Sequence, residues 1–339
     1  MVIGIVAALL VSGASGVHAQ THAPWPSDWN NWSDPNLWVT VGDPGNAGAW
    51  SGASYSAYGA ERTFGPDRIC GAVAYAFSMG KFEVTAGQYT AFLNAVARTD
   101  TFGLYSPYMA DPTGYWGCNI QQSGSPGSYT YSVDPEWANR PVNYVSWGDA
   151  ARFANWLTHG QPAGPQDANT TEDGSYLLNG ATSYEALMAV TRKTAAQGGR
   201  YYIPTEDEWY KAAYYKGGGL NAGYRSFSTG NNSSLSNDLS NPDGNNNANF
   251  YQGGYTLGSP YYRTEAGDFE NSQSPYGTFD QGGNVWEWNE TILCPSCRGL
   301  RGGSFDRYDD YLHASHRSGD NPTNEDFNIG FRLSKNLSQ

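Results

Sequence analysis

The chain has 339 residues, a formal net charge of −13, 15% charged residues, 15% aromatic residues and 42 glycines. So many aromatic side chains exclude a disordered chain, and an acidic balance without a basic stripe excludes a nucleic-acid partner. Low charge with many glycines predicts a loop-rich α+β fold with few helices and short strands.

Residues 1–19 are predicted to be an export signal. The run from Val2 to Val11 is apolar, and Val17-His18-Ala19 supplies the expected cleavage positions before Gln20. No lysine or arginine precedes the run, so a short buried helix stays the alternative. The run is too short to span a bilayer and no second one follows. We therefore expect a secreted or cell-surface protein without a membrane span.

Residues 20–71 form an aromatic arm rich in glycine and proline. Leu37–Val41 is apolar enough to be a strand, and no helical period occurs in this segment. The arm either covers the rest of the protein or pairs with another molecule, because exposed aromatic strands favour such addition. The second interpretation predicts self-association. The tryptophans of the arm are Trp25, Trp29, Trp32, Trp38 and Trp50.

After the arm, Ala72–Val84 alternates as a strand does, and three helix starts follow. In each, a hydroxyl residue stands three positions before a glutamine, aspartate or glutamate, which is the pattern of a capping box. A loop rich in glycine, asparagine and serine occupies Gly217–Asn249. The helices are predicted to follow Thr85, Ser146 and Thr205 and to run to about Val96, Leu157 and Tyr215.

Four cysteines are present, and an even number in an exported chain permits disulfides. Cys294 and Cys297 lie in a loop rich in turn residues, which favours a local disulfide over a redox dithiol. Cys70 and Cys118 are poorly spaced to complete a zinc site with them.

Six separated motifs occur in one order, and together they resemble the formylglycine-generating-enzyme, or sulfatase-modifying-factor, family. The resemblance covers residues 72–335 and implies the family's variant of the C-type lectin fold. The motifs are Met79–Thr85, Arg140–Trp147, Ile203–Trp209, Gly283–Trp288, Arg301–Ser304 and Asn328–Arg332.

In catalytic members of that family, two cysteines shortly after Arg-Gly-Gly-Ser bind copper and oxidise a substrate cysteine to formylglycine. Here no cysteine occurs between Arg298 and Gln339. Because Cu(I) prefers thiolates, the aspartates, tyrosines and histidines of this segment cannot replace them, and we assign no catalytic residue. A local cluster is either a different metal site or a set of surface side chains: Asp306, Asp309, Asp310, His313 and His316.

The resemblance also implies structural Ca²⁺. Oxygen ligands around a glycine-rich turn suit this ion, although Glu287 is alternatively a buried acid satisfied by hydrogen bonds or an arginine. A second family site would use Asn249 and the Phe250 carbonyl, but its later carboxylate has no clear match. The residues that correspond to the first site are Asp280 and Glu287 through their side chains, and Gly283 and Val285 through their carbonyls.

Four residues match positions that line the family's substrate groove: Trp286, Ser304, Arg317 and Asn328. An aromatic floor with a few polar groups is suited to a peptide or a glycan. Alternatively, Trp286 and Arg317 belong to the core. The chain lacks the sugar-binding tripeptides of C-type lectins, so no sugar specificity follows.

The sequence thus predicts an exported, non-catalytic binding or structural protein on a calcium-stabilised domain. A self-assembling surface or fibre subunit is one form of this hypothesis. The alternative is a metal-dependent modifying enzyme, an oxidase of the same family with a divergent active site.

Overall fold

The computed structural model describes residues 26–52, 68–218, 222–239 and 246–337, and the predicted export signal lies outside these ranges. Within them the chain forms five α-helices and twelve short strands joined by long loops, which confirms the predicted α+β class. The helices are α1 (Ala86–Val96), α2 (Pro135–Ala138), α3 (Trp147–Thr158), α4 (Tyr184–Ala189) and α5 (Glu206–Tyr214).

The strands are two to nine residues long and belong to two four-stranded sheets and two small hairpins. Their bounds are β1 (Trp38–Val41), β2 (Ala49–Ser51), β3 (Arg68–Cys70), β4 (Phe77–Gly80), β5 (Ile120–Ser123), β6 (Thr130–Val133), β7 (Tyr201–Tyr202), β8 (Trp286–Cys294), β9 (Cys297–Arg301), β10 (Ser318–Asp320), β11 (Ile329–Gly330) and β12 (Ser334–Asn336).

Helices α1, α3 and α5 begin where the sequence predicts. In each, the capping hydroxyl accepts the backbone amide three residues on, and that residue's side chain accepts the amide of the capping residue. Such a cap contributes about 1 kcal/mol, and its signal lies within four residues of sequence. The ends also agree with the prediction to within one residue. The pairs are Thr85 with Gln88, Ser146 with Asp149, and Thr205 with Glu208.

The first sheet has the order β1-β4-β12-β7 and is antiparallel throughout. Met79 in β4 is fully buried and lies opposite Val39 on one side and Ser334 on the other. Since β1 comes from the arm and β12 from the C-terminal segment, this sheet joins distant parts of the chain.

The second sheet has the order β10-β9-β8-β11, with β11 parallel to β8. A disulfide joins Cys294 to Cys297 at the turn between β8 and β9. Between α5 and β8, the described residues form loops that are linked by isolated β-bridges. The ends of β8 and β11 and these loops surround the site described below.

The described part of the arm packs on the domain. Trp32 is 7% exposed, and its ring contacts Phe153 of α3 at 5.6 Å between centroids. Leu37 is also buried, and Ser51 donates to the Ala314 carbonyl at 2.9 Å. This packing agrees with the interpretation that the arm covers the domain.

One buried carboxylate gathers three arginines. Glu206, the first residue of α5, is 1% exposed and lies 2.7 Å from Arg301, 2.8 Å from Arg317 and 3.1 Å from Arg68. Burial opposes ionisation, but the three guanidiniums outweigh it and lower the pKa of Glu206 to about 2. The network fixes the start of α5 to β9 and to the segment that precedes β10.

Among the described residues, no helix has both the length and the apolar character needed to cross a membrane.

Candidate binding site

Two of the four predicted groove residues meet at one carboxylate. Ser304 Oγ donates to Asp306 Oδ1 at 2.6 Å, and Asn328 Nδ2 donates to the same oxygen at 3.0 Å. Both donors are buried, whereas the Asp306 side chain retains 13% exposure. Asp306 is therefore held in one orientation at the rim of the site.

The other two groove residues lie in the interior. Trp286 is 5% exposed, and its ring contacts His316 at 5.7 Å and Tyr311 at 6.2 Å. Arg317 is 1% exposed and binds both oxygens of Glu206, at 2.8 and 2.9 Å. Neither side chain presents much surface to a ligand, in agreement with the alternative that they are core residues.

Six aromatic rings from several loops contact one another in a chain. We call these six rings the aromatic surface. Neighbouring rings lie 4.7–5.7 Å apart, and Phe305 is fully buried beneath them. Tyr308 is 54% exposed and Tyr255 is 39% exposed, while the others are partly buried. In contact order, the aromatic surface consists of Tyr308, Tyr251, Tyr255, Tyr262, Trp116 and Phe327.

The backbone is strained at this surface. Trp116 and Tyr262 have φ angles of 57° and 55°. Tyr144 has a φ angle of 57°, and its ring stacks on that of Tyr108 at 5.5 Å between centroids. Bulky residues rarely adopt this left-handed region, and such strain of roughly 1–3 kcal/mol per residue concentrates at functional sites. The strain is a first indication that this surface is used.

Buried donors hold the strained segments in place. Asn143 Nδ2 donates to the carbonyls of Trp116 and Phe327 at 2.8 and 2.5 Å, which ties two segments of the aromatic surface together. Arg263 Nη1 and Nη2 donate to Trp116 and Gly117 carbonyls at 2.7 and 2.9 Å. Burial lowers the pKa of Arg263 to about 10, so it remains a cation at neutral pH. The rings are thus preorganised.

Two of the predicted calcium ligands, Glu287 and Asp280, carry carboxyl groups. Glu287 is fully buried and already bound: Arg332 donates to its two oxygens at 2.6 and 2.7 Å, and Trp209 donates at 2.6 Å. Asp280 accepts the Gly267 amide at 2.6 Å, and burial raises its pKa to about 7. Glu287 thus has the environment of the stated alternative, a buried acid satisfied by an arginine.

Glu83 adds a third carboxyl to the same region. It accepts Asn284 Nδ2 at 3.0 Å and the Val285 amide at 3.3 Å. Burial, then repulsion from Asp280 and Glu287, raises the pKa of Glu83 well above its usual value. The carboxyl groups of Glu287, Glu83 and Asp280 therefore all interact with the guanidinium of Arg332. A hard divalent cation at Asp280 would offset the excess of carboxyl groups over this one cation.

The structure brings the second predicted calcium site next to the first. Asn249 and Gly283 form a β-bridge, and a Cβ on Gly283 would lie 2.2 Å from the Asn249 carbonyl oxygen. Asn249 Oδ1 is buried and accepts no hydrogen bond from any residue in the described ranges. The Phe250 carbonyl accepts Asn237 Nδ2 at 3.0 Å. The unsatisfied amide oxygen fits a cation ligand.

The cysteines and the histidines His313 and His316 were the other candidates for a metal site. Cys70 and Cys118 are both fully buried thiols, and the other two cysteines form the disulfide. His316 contacts Tyr311 at 4.6 Å, whereas His313 contacts Phe227 at 5.3 Å. In the described ranges, no group of three or more histidine, cysteine, aspartate or glutamate residues could hold a metal ion.

The aromatic surface is not evident from the sequence. Its members come from four loops, and no spacing within one segment indicates that Trp116, Tyr255 and Phe327 meet. One available signal was Trp116-Gly117, since glycine permits close backbone approach: a Cβ at Gly117 would lie 2.2 Å from the Tyr108 carbonyl oxygen.

Solved structures with similar folds include Treponema denticola variable protein 1, which is 19% identical and has a TM-score of 0.51, over 88% of this chain and 94% of its own. CarF is 22% identical, covering 89% of this chain and 98% of its own, with a TM-score of 0.48. PvdO from Pseudomonas aeruginosa is 17% identical, covering 88% and 94%, with a TM-score of 0.47. The likeness to variable protein 1, at 19% identity, indicates a shared fold only.

No curated protein matches the chain. The family described as "Sulfatase-modifying factor enzyme 1-like domain" matches residues 57–337. This range contains all six motifs and every strand of the two four-stranded sheets except β1. Because the match covers well over half of the sequence, the chain belongs to the sulfatase-modifying factor enzyme 1-like family.

Proposed function

We propose that this chain is a non-catalytic binding protein whose ligand binds at the aromatic surface. The observation that carries the proposal is the preorganisation of that surface: Trp116 and Tyr262 are held in the left-handed region, and Asn143 clamps two of its loops. Aromatic side chains dominate the energetics of binding surfaces because they bury a large apolar area with little loss of rotamer freedom.

The placement of the cysteines supports a non-catalytic role. Copper-dependent oxidation in this family requires accessible thiolates after the Arg-Gly-Gly-Ser motif. Phe305, Asp306 and Arg307 follow there instead, and the free thiols of Cys70 and Cys118 are buried. Burial raises the pKa of both thiols, which disfavours the thiolate form that a metal requires.

Ca²⁺ enters the proposal as a structural ion. Asp280 and the unsatisfied Asn249 Oδ1 are the side chains that would hold it, together with carbonyls of the turn that contains Gly283. Bound there, calcium would supply positive charge beside the surplus carboxyls and would stabilise loops that pack under Tyr262, whose carbonyl accepts Asn249 Nδ2 at 3.0 Å.

Export and self-association remain parts of the proposal. Export rests on residues 1–19, and analysis of the N-terminus of the secreted protein tests it. Self-association through the arm requires a measurement on the full chain, because removal of the arm would also remove β1 from its sheet. Light scattering that gives a monomeric mass at all concentrations would refute self-association.

The binding experiment compares variants with matched exposure. Immobilised wild-type chain is probed with a displayed peptide library and a glycan array, and then Tyr255→Ala and Tyr308→Ala are tested on whatever binds. Tyr184→Ala is the control, because Tyr184 is 39% exposed on α4, as Tyr255 is in the aromatic surface. We expect each surface variant to weaken binding about tenfold or more, as at interface hot spots, with no loss in the control. Equal binding by all variants would refute the proposal.

The alternative oxidase function predicts stoichiometric copper or iron in the purified chain. No contact among the described side chains favours it, since His313 and His316 join no metal-binding group. Elemental analysis separates the two functions: calcium alone agrees with the binding protein, whereas stoichiometric copper or iron would support the oxidase.

A further inference from the structure

A cavity of about 490 Å³ lies where α1 ends, and it shares no lining residue with the aromatic surface. Its walls come from the end of α1 and the turn after it, from Gly127 between β5 and β6, and from residues 163–166 after α3. We propose that this cavity binds a small organic carboxylate with an apolar body, and that the guanidinium of Arg98 holds the carboxylate. This inference goes beyond the proposed function and does not depend on it.

The volume and composition of the cavity suit a small molecule. Ligand pockets in proteins generally measure about 300–1,000 Å³ and combine apolar walls with a few polar groups. Here Ala95, Val96 and Pro165 supply apolar surface. Arg98 is the one charged residue among the described residues that line the cavity. A ligand with an apolar body and one charged group matches this lining.

The loops that form the walls are fixed to α1 by hydrogen bonds. The Gly164 amide donates to the Ala95 carbonyl at 3.0 Å. On the other side, the Gly127 amide donates to the Arg98 carbonyl at 2.8 Å. The three walls therefore hold one another in place, and the cavity is formed before a ligand binds.

Most acceptor groups around the cavity are already occupied. A helix ends in carbonyl groups without an internal partner, and their partial negative charge repels an anion. At the end of α1, besides the two carbonyls above, the Ala97 carbonyl accepts the Tyr131 hydroxyl at 2.9 Å. The side chain of Asn94 exchanges two hydrogen bonds with the backbone of Tyr131, and Gln166 Oε1 accepts the Phe102 amide at 2.8 Å.

The polar groups that remain for a ligand are mainly donors. Arg98 is exposed, and its guanidinium forms no ion pair or hydrogen bond with any residue of the described ranges. The hydroxyls of Thr99 and Thr101 also line the cavity, and neither is bound to another described residue. A guanidinium carries five donors and no acceptor, and its planar fork matches a carboxylate. The lining therefore selects a ligand group that accepts hydrogen bonds and carries negative charge.

The acid in this turn does not neutralise Arg98. Asp100 Oδ1 accepts the Leu104 amide at 2.8 Å and Gln166 Nε2 at 3.2 Å, while its Oδ2 accepts the Tyr105 amide at 3.1 Å. The Asp100 carboxylate is thus used within the turn. Because the whole chain carries a net charge of −13, an anion depends here on one local cation, so its affinity should depend strongly on Arg98.

The test measures binding of small carboxylates to the full chain by saturation-transfer NMR, with Kd values from titrations. The probes are benzoate, phenylacetate and hexanoate, each compared with its amide, which has a similar shape without the charge. We expect the carboxylates to bind and each amide to bind about tenfold more weakly or less, because a charged hydrogen-bonded pair is lost.

Two substitutions address the cavity, and a third is the control. Arg98→Gln removes the cation and should raise the Kd of the carboxylates about tenfold or more, with little change for the amides. Ala163→Trp places a large side chain in the cavity from its exposed rim and should abolish binding of every probe. Lys216→Gln removes an exposed cation outside the lining and should leave every Kd unchanged.

The contrary outcomes are distinguishable. If no carboxylate binds, or if Arg98→Gln and Ala163→Trp bind as the wild type does, the inference is wrong. If the amides bind as tightly as the carboxylates, or if inorganic phosphate binds and the carboxylates do not, the ligand class is wrong. Tyr255→Ala should retain carboxylate binding, and a loss there would place the site at the aromatic surface instead. An unchanged urea midpoint confirms that each variant is folded.

Discussion

The substitution Glu206→Gln tests the buried network that attaches α5 to the second sheet. Gln has the same shape but no charge, and it would leave Arg301 and Arg317, which are 0% and 1% exposed, without their counter-ion. Removing one partner of a buried ion pair destabilises a protein by about 3–5 kcal/mol. The lowering of the Glu206 pKa from 4.5 to about 2 gives an independent value of about 3 kcal/mol.

The same pKa fixes the pH dependence. Because the folded-state pKa lies below the unfolded value, the stabilisation is fully present above about pH 4.5 and is lost as the pH falls toward 2. The free energies of unfolding of wild type and Glu206→Gln should therefore differ by about 3 kcal/mol at pH 7 and converge in acid.

Urea unfolding followed by tryptophan fluorescence measures this difference at pH 7, 4.5 and 3. Glu185→Gln is the control: its side chain is exposed, so we expect a change within about 0.5 kcal/mol at each pH. A loss below about 1 kcal/mol for Glu206→Gln at pH 7, or a loss of the same size at every pH, would refute the reasoning, because a buried charge must contribute only while it is ionised.

Three further predictions use the same unfolding assay. Gly117→Ala should lose about 2–3 kcal/mol, because its Cβ would lie 2.2 Å from the Tyr108 carbonyl oxygen, while Gly254→Ala, with open space around it, should be nearly neutral; equal effects would contradict this. Burial, then Asp149, raises the pKa of Glu325 to about 8, so stability should fall as the pH rises from about 4.5 through 8, and Glu325→Gln should be more stable than wild type at pH 9 but not at pH 4. If calcium binds Asp280, an excess of 100 times Kd should stabilise the wild type by about 2.7 kcal/mol over EGTA and leave Asp280→Asn unchanged; a calcium-independent midpoint would show that the ion does not bind.

The features predicted best from the sequence are those whose cause lies within a few residues. The capping box of Thr85 and Gln88 specifies the start of α1 through two hydrogen bonds inside four residues. Strand β1 followed from the apolar run Leu37–Val41, but its place beside β4 did not, since strand order depends on contacts between distant segments. The fold class came from the order of the six motifs.

The candidate site was predicted only in part, for a physical reason. Ser304 and Asn328 were identified from the family motif, yet Asp306, which joins them, was assigned to a hypothetical metal cluster. Nothing local shows that Glu287 is bound by Arg332, because that contact crosses 45 residues of chain. The left-handed backbone of Trp116 is equally invisible, since an aromatic residue does not favour that region and tertiary contacts impose it.

The buried arginines explain why one predicted groove residue, Arg317, lies in the interior. A domain built mostly of loops buries many backbone carbonyls that no helix or sheet satisfies, and a guanidinium can donate to several of them at once. Arg298 donates to the carbonyls of Leu187 and Val190 at 2.7 Å each. Arg301 likewise donates to the Ala314 and His316 carbonyls at 2.9 and 2.6 Å.

Arg317 belongs to this internal set, which is why a family position that suggested a ligand contact lies at Glu206 instead. Among the described residues as many acids as lysines and arginines are buried, eight of each, so the net charge of −13 remains outside the core. Asp306, which the side chains of Ser304 and Asn328 orient, is one place where negative charge lies beside the preorganised aromatic surface.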